Sequence, residues 1–354
     1  MKRRDALKTL GLGALATTAG CLGGFERQSA WRDPPLVENR PTAVYLPAIT
    51  EGMKMYGMTT AGSYGVALTY SYPHRFWSVA GGELQKTVVE ADDTLHLMAS
   101  VWDAETGTIL PLDSGVSIEI LQDGSLVSEE VAYPMLSQQM GVHYGSNYEL
   151  DGEGDYEARV QVGGTTLHRT GSFAERFETA ETATFSFEFD TDELYDVELT
   201  RLGDRAGQRG AISPMEMMNM PTGVAPAISD LSGTHLGRQT SGDALFDCFV
   251  VDDGARFDAD ESYLYVSART PHNEFVLPMM GLRATVERDG ETLVDDVQLR
   301  RTLDPDLSYH YGLPVESLES GDTIDLSVDV PPQIARHDGY ETAFFEFEPM
   351  SFER

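Results

Sequence analysis

Cysteine, helical periodicity and positive charge are all scarce in this 354-residue sequence, and each scarcity excludes something. Cysteine occurs only at Cys21 and Cys248, so there is neither a disulfide framework nor a Cys-x-x-Cys metal or redox motif. Cys248 sits in Leu245-Phe-Asp-Cys-Phe-Val-Val251, an apolar strand-like run that reads as core rather than ligand. No segment supplies the roughly twenty successive apolar residues that span a bilayer. Lys and Arg total 25 against 58 Asp and Glu, a net charge of −33. Nucleic-acid binding needs clustered cations on phosphates, so no nucleic-acid partner is expected. The acids are spread along the chain, as at Asp92-Asp93, Glu129-Glu130, Asp252-Asp253 and Asp295-Asp296. Such a distribution suits a hydrated, salt-adapted surface and points to a haloarchaeal source.

The N-terminus is the one stretch that is basic and then apolar. Met1-Lys-Arg-Arg-Asp5 precedes a Leu-, Gly-, Ala- and Thr-rich run that closes on Thr18-Ala19-Gly20-Cys21. A basic start, a short apolar core and small residues before a cut describe a signal peptide. Arg3 and Arg4 match a twin-arginine export signal. Residues 18–21 resemble a lipobox, which makes Cys21 the lipidated first residue of a mature chain anchored on the outer face of the cell membrane. Residues 22–41 then form a tether. Loss of residues 1–20, which carry four cations and one acid, takes the charge to about −36.

Beyond residue 41 the pattern is alternation with period two, as in Val116-Ser-Ile-Glu-Ile120, Phe185-Ser-Phe-Glu-Phe189 and Ile324-Asp-Leu-Ser-Val-Asp-Val330. Short alternating runs, rich in β-branched and aromatic residues and punctuated by Asp123-Gly124 and Asp289-Gly290, predict antiparallel strands joined by tight turns. The expected fold is all-β: two tandem immunoglobulin-like antiparallel β-sandwich domains. An internal repeat supports the pairing. At an offset of 167, Pro111 meets Pro278, Leu126-Val127 meets Leu293-Val294, His143-Tyr144-Gly145 meets His310-Tyr311-Gly312, and Gly154-Asp155 meets Gly321-Asp322. Glu181-Thr-Ala183 and Glu341-Thr-Ala343 match at 160 instead, which sets Phe177 opposite His337. The expected boundaries are 42–195 for domain one, 196–224 for a linker and 225–354 for domain two, with the whole read as a duplication.

No catalytic motif is present: no nucleophile–base set, no Gly-rich phosphate loop, no His-Glu-x-x-His. The chain is therefore not expected to be an enzyme. Fourteen methionines stand out, clustered at Met53, Met55 and Met58, at Met135 and Met140, at Met215, Met217, Met218 and Met220, and at Met279-Met280. Thioethers suit Cu(I), and imidazole serves copper, iron and zinc. Methionine is equally a core filler, and a His-Tyr-Gly can be a strand-end landmark.

Pro134-Met-Leu-Ser-Gln-Gln-Met-Gly-Val-His-Tyr-Gly145 with Asn147 resembles the periplasmic iron-transport-associated family, small immunoglobulin-like proteins that bind copper and iron beside iron permeases. The resemblance implies a metal site of methionine, histidines and an acid. Carried over by position, it gives His143 as the motif histidine, Met135 or Met140 as the methionine, and His96 from the early strand His96-Leu-Met-Ala99. Met98 replaces the family's early acid. Domain one has no late histidine unless His168 serves, while domain two offers His310 and His337, the latter in Arg336-His-Asp338. The resemblance implies an exported, lipid-anchored accessory protein that captures Fe(II) or copper and presents it to a membrane iron permease, with a homodimer compatible with such a role. The competing expectation is a metal-free surface adhesion protein built of two sandwich modules.

Overall fold

The computed structural model describes residues 34–216 and 220–354. The expected signal segment with Arg3, Arg4 and Cys21 lies outside the described residues, as do most of the tether and the pair Met217-Met218. The regular structure is mostly β-strand, with short 3-10 turns and, among the described residues, a single five-residue α-helix, Thr191–Tyr195, capped by the Asp190 side chain. The all-β sandwich expected from alternation is what forms.

Two kinds of strand build it. In Glu181–Phe189, Ala183, Phe185, Phe187 and Phe189 are buried while Thr182, Thr184, Ser186 and Glu188 face water. That is the half-buried pattern of an outer antiparallel sheet. Leu95–Asp103 and Gly141–Tyr148 are buried on both faces. Leu95, Leu97, Ala99 and Val101 enter the sandwich core, as do Val142, Tyr144 and Tyr148. Because side chains alternate, His96 and Met98 share the opposite face with His143, Gly145 and Asn147. This second face is covered as well.

In the first half, the 13-residue strand Ser125–Ser137 belongs to both layers. Its start pairs with Val116–Gln122, next to Gly154–Val162 and Glu181–Phe189; its end pairs with Gly141–Tyr148, next to Leu95–Asp103, Tyr64–Ser71 and Lys54–Ala61. The second half repeats this order, with the long strand broken at Leu299 into Glu291–Gln298 and Arg300–Asp304. Tyr144 Oη donates to the Leu110 carbonyl at 2.8 Å and Tyr311 Oη to the Leu277 carbonyl at 2.8 Å, positions 167 apart in both pairs. The repeated tyrosine thus holds the same loop in each half. One apolar cluster runs through both halves.

The halves also exchange a segment. Ala335–Arg336 pairs in parallel with Met135 and Leu136, while His168–Arg169 pairs in parallel with Thr302 and Leu303. These two contacts are related by the same offset of 167. Each half therefore covers its neighbour's outer face. The alignment of Phe177 with His337 does not survive: Phe177 and Phe344 share the left-handed backbone, at φ 62° and 63°, so 167 still holds there. At that register His337 corresponds to Thr170, not to Phe177.

Candidate metal centre

The segment donated by the second half brings His337 onto the outer face of the first. There it meets His74, which follows the strand Tyr64–Ser71, and His96 and His143 from two adjacent strands. Ring centroids lie 3.9 Å apart for His74 and His96, 4.9 Å for His74 and His337, and 5.2 Å for His143 and His337. One nitrogen each of His74, His96 and His337 falls within 4.8 Å of the others.

The hydrogen bonds settle which nitrogen is offered. His96 Nδ1 lies 2.8 Å from Asn147 Oδ1, His143 Nδ1 3.1 Å from the Gly141 carbonyl, and His74 Nδ1 2.9 Å from the Tyr72 carbonyl. Each partner is an acceptor, so each Nδ1 carries the proton and each Nε2 keeps its lone pair. All four Nε2 atoms, that of His337 included, are buried without a hydrogen-bond partner. A buried, unpaired polar atom costs about 1–3 kcal/mol. Three of these histidines, His74, His96 and His337, gather as a candidate ligand set with the His143 ring beside them, an arrangement suited to a cation, and lone pairs held by outer hydrogen bonds are how metal-binding histidines are oriented.

Asn147 is the main positioning residue. Its Oδ1 also accepts from the His74 backbone N–H at 3.3 Å, and its Nδ2 donates to the His74 carbonyl at 3.1 Å. One amide therefore sets both the His96 ring and the His74 loop. Arg75 and Asp338, the residues after His74 and His337, form an ion pair at 2.9 Å that ties the two segments together. Asn147→Ala is expected to weaken metal affinity 10–100-fold, the usual effect of losing an orienting partner. Equilibrium competition with a chromophoric chelator measures it; an unchanged affinity would remove Asn147 from this role.

Burial holds three of the histidines neutral. It drives His96 and His337 well below the ordinary imidazole range, and His143 down to about 4, with neighbouring imidazoles adding to each effect. Neutral imidazole is the ligand form, so protons compete poorly for this site.

The other expected site residues divide. Met98 and Met140 line the cleft beside His143 and His337. Met135 is directly across from His143 in the strand pair, and its side chain packs with Phe76 and Ala335. His168 is not brought to the cluster; its Nε2 lies 3.7 Å from Asp258 in the second half. His310 is also elsewhere, with both nitrogens engaged: Nδ1 at 3.1 Å from the Ser308 carbonyl and Nε2 at 3.0 Å from Tyr263 Oη. Burial lowers its pKa to about 4 as well, but no lone pair is left over. The second half's counterpart of the site is plugged. Tyr263 and Tyr265 stand at the positions of His96 and Met98, Thr302 at that of Met135, and Pro314 at that of Asn147. Tyr263 stacks on Phe257 at 4.4 Å, and both belong to an aromatic cluster with Phe249, Tyr265 and Leu307.

His74 was not among the expected ligands. The signal for it was indirect: an asparagine in the first His-Tyr-Gly motif that the second lacks, which marks a polar partner to be held there.

Residues 229–353 match a family model described as a domain of unknown function, DUF7350. A comparison with curated proteins found no match. Among solved structures, the chain is similar to a copper-bound variant of FetP from uropathogenic Escherichia coli strain F11, at 17% identity, over 39% of this chain and 97% of that one, with a TM-score of 0.29. It is also similar to copper-reconstituted P19 from Campylobacter jejuni, at 15% identity, over 39% of this chain and 96% of that one, with a TM-score of 0.29.

Proposed function

We propose that the protein is an exported, lipid-anchored accessory protein that captures a transition-metal ion outside the cell and presents it to a membrane permease. The observation that carries the metal part is the gathering of one nitrogen each from His74, His96 and His337 within 4.8 Å of one another, with His143 alongside and all four Nε2 atoms without a hydrogen-bond partner. Copper is the favoured cargo. The cleft combines imidazoles with thioethers, and the nearby acids are engaged, Asp338 by Arg75 and Glu51 by the Ser71 hydroxyl at 3.3 Å. Soft donors without a free carboxylate suit copper over ferrous iron, which imidazoles alone would also accept. The export and anchoring part rests on Arg3-Arg4 and on the lipobox ending at Cys21. Duplication of one sandwich followed by loss of the second site accounts for a single centre in two halves. Ligand exchange at a site roofed by a short exchanged segment supplies a release step with no covalent chemistry.

The test is metal stoichiometry on the mature chain, purified without a metal-binding tag and offered copper, ferrous iron and zinc in turn. One tightly held divalent ion per chain is expected, lost when His96 and His143 are both replaced by alanine. No specific binding of any of the three would overturn capture and favour the adhesion reading. In cells, Cys21→Ser is expected to release the chain into the medium, and continued membrane retention would overturn the anchor.

A further inference from the structure

Five methionines that are scattered in sequence are gathered in space. Met53, Met55, Met98, Met140 and Met220 pack together around Ala67 and against Trp102. They arrive from four places: the edge strand Lys54–Ala61 and the link before it, the central strand Leu95–Asp103, the turn before Gly141–Tyr148, and the connection between the halves. Met98, Met140 and Met220 are 2%, 5% and 8% exposed, while Met53 and Met55 are partly buried. Three of the five, Met53, Met98 and Met140, line the same cleft as His143 and His337, so their side chains border open space rather than closed core.

The sandwich interior shows what this chain uses when it only needs to fill volume. Around Leu95, Leu97 and Val101 it packs mostly Val, Leu, Ile, Tyr and Phe, whose rotamers specify a core better than methionine does, and that large cluster holds just Met279, Met280 and Met350 among the described residues. A wall of unbranched thioethers at a solvent-reaching cleft is a different choice. Thioether sulfur is uncharged, takes no proton at ordinary pH and prefers Cu(I) among biological metals. An imidazole set with every Nε2 free also accepts divalent ions. The two donor types therefore sort metals by softness across one cleft.

We propose that Met53, Met98 and Met140 form a second metal site beside the histidines, selective for Cu(I), with Met55 and Met220 packed behind them to hold the thioethers in place. The inference rests on the metal-capture reading of the cleft but stands on different side chains. It makes the cleft a receiver for copper in its reduced form.

Silver(I), a closed-shell stand-in for Cu(I), is the probe. The full mature chain, labelled at the methionine methyl groups, is titrated with silver nitrate in a chloride-free buffer and followed by NMR and calorimetry. The comparison chains are Met53→Leu/Met98→Leu/Met140→Leu and His337→Ala. Leucine is close in volume to methionine, and such swaps usually cost less than about 1.5 kcal/mol, so the triple variant keeps the fold; its thermal midpoint verifies this. The parent is expected to take up silver with shifts in these three methyl resonances, and the triple variant to lose that uptake while still binding zinc at the histidines. His337→Ala should do the reverse. Unchanged silver affinity in the triple variant, or methyl resonances that do not move in the parent, would overturn the thioether site. Silver uptake with no zinc binding in any chain would leave this site standing and bring down the histidine centre instead.

Discussion

Replacing His337 with alanine is expected to weaken divalent-metal binding by about 100-fold or more, equivalent to roughly 2.8 kcal/mol, although His337 lies 194 to 263 residues from the other histidines. The size follows from geometry. His337 is within ring-contact distance of both His74 and His143, and its Nε2 is buried with no other partner. Its placement is heavily braced. The Arg336 side chain is buried and donates to the carbonyls of Ala343 and Pro332, which fixes the loop on either side. The His337 backbone N–H donates to the Leu136 carbonyl at 3.2 Å, and the Tyr45 hydroxyl reaches Glu341 at 2.5 Å. A ligand so held loses little entropy on binding an ion, so its removal forfeits most of its bond. The substitution should barely lower the stability of the metal-free chain, because it also removes an unsatisfied buried nitrogen. His310→Ala is the control: the second half's motif histidine makes no approach to the cluster, and metal affinity should not change. Zinc affinity by chelator competition, with thermal midpoints measured without metal, checks both. Equal effects from the two substitutions, or none from His337→Ala, would refute a centre shared between the halves.

How far this arrangement could be read from sequence differs by feature. The strands were legible because Phe185, Phe187 and Phe189 alternate with polar residues, a pattern that depends only on neighbours two positions apart. His96 and His143 were accessible through the family resemblance, which also offered Met140 and set Met98 at the place of the family's acid. His337 was placed in the wrong context. A two-residue parallel pairing, Ala335–Arg336 on Met135–Leu136, is too short to leave a periodic trace, and nothing local says that a segment crosses to the other half. The 160-residue match of Glu-Thr-Ala then pulled the alignment off by seven. His74 lay in a loop whose only distinction is tertiary, its contacts with Asn147. His310 shows the converse error: the same His-Tyr-Gly in sequence, with its histidine tied to Tyr263 by a residue exchange 47 positions away. Motif repetition preserved the tyrosine's structural task and the glycine's clearance, while the cluster of unpartnered histidines formed, among the described residues, against the first half's sheet.

That glycine gives the second large effect, because the same substitution should fail differently in the two halves. A Cβ at Gly145 would lie 2.8 Å from His96 Nε2 and 3.2 Å from both the Leu97 carbonyl oxygen and Met98 Cγ. The methyl group would occupy the space into which His96 points its lone pair. The ring cannot turn aside without breaking the Nδ1 contact with Asn147. Gly145→Ala is therefore expected to cost about 100-fold or more in metal affinity and, as mild overpacking, about 1–3 kcal/mol in stability. At Gly312 the added Cβ would fall 1.7 Å from Tyr263 Oη and 2.2 Å from its Cζ. Tyr263 is locked between the stack on Phe257 and the bond to His310, so either the ring is expelled or the strand shifts. Displacing the hydroxyl also strands His310 Nε2, adding about 1–3 kcal/mol to a comparable overpacking cost. Gly312→Ala should then be the more destabilising of the two, by denaturant unfolding, and should leave the first half's metal affinity untouched at temperatures where the chain is folded. A Gly145→Ala chain that binds metal like the parent would show that the ion does not sit against His96. A Gly312→Ala chain as stable as the parent would show that the aromatic plug is loose enough for the second half to open.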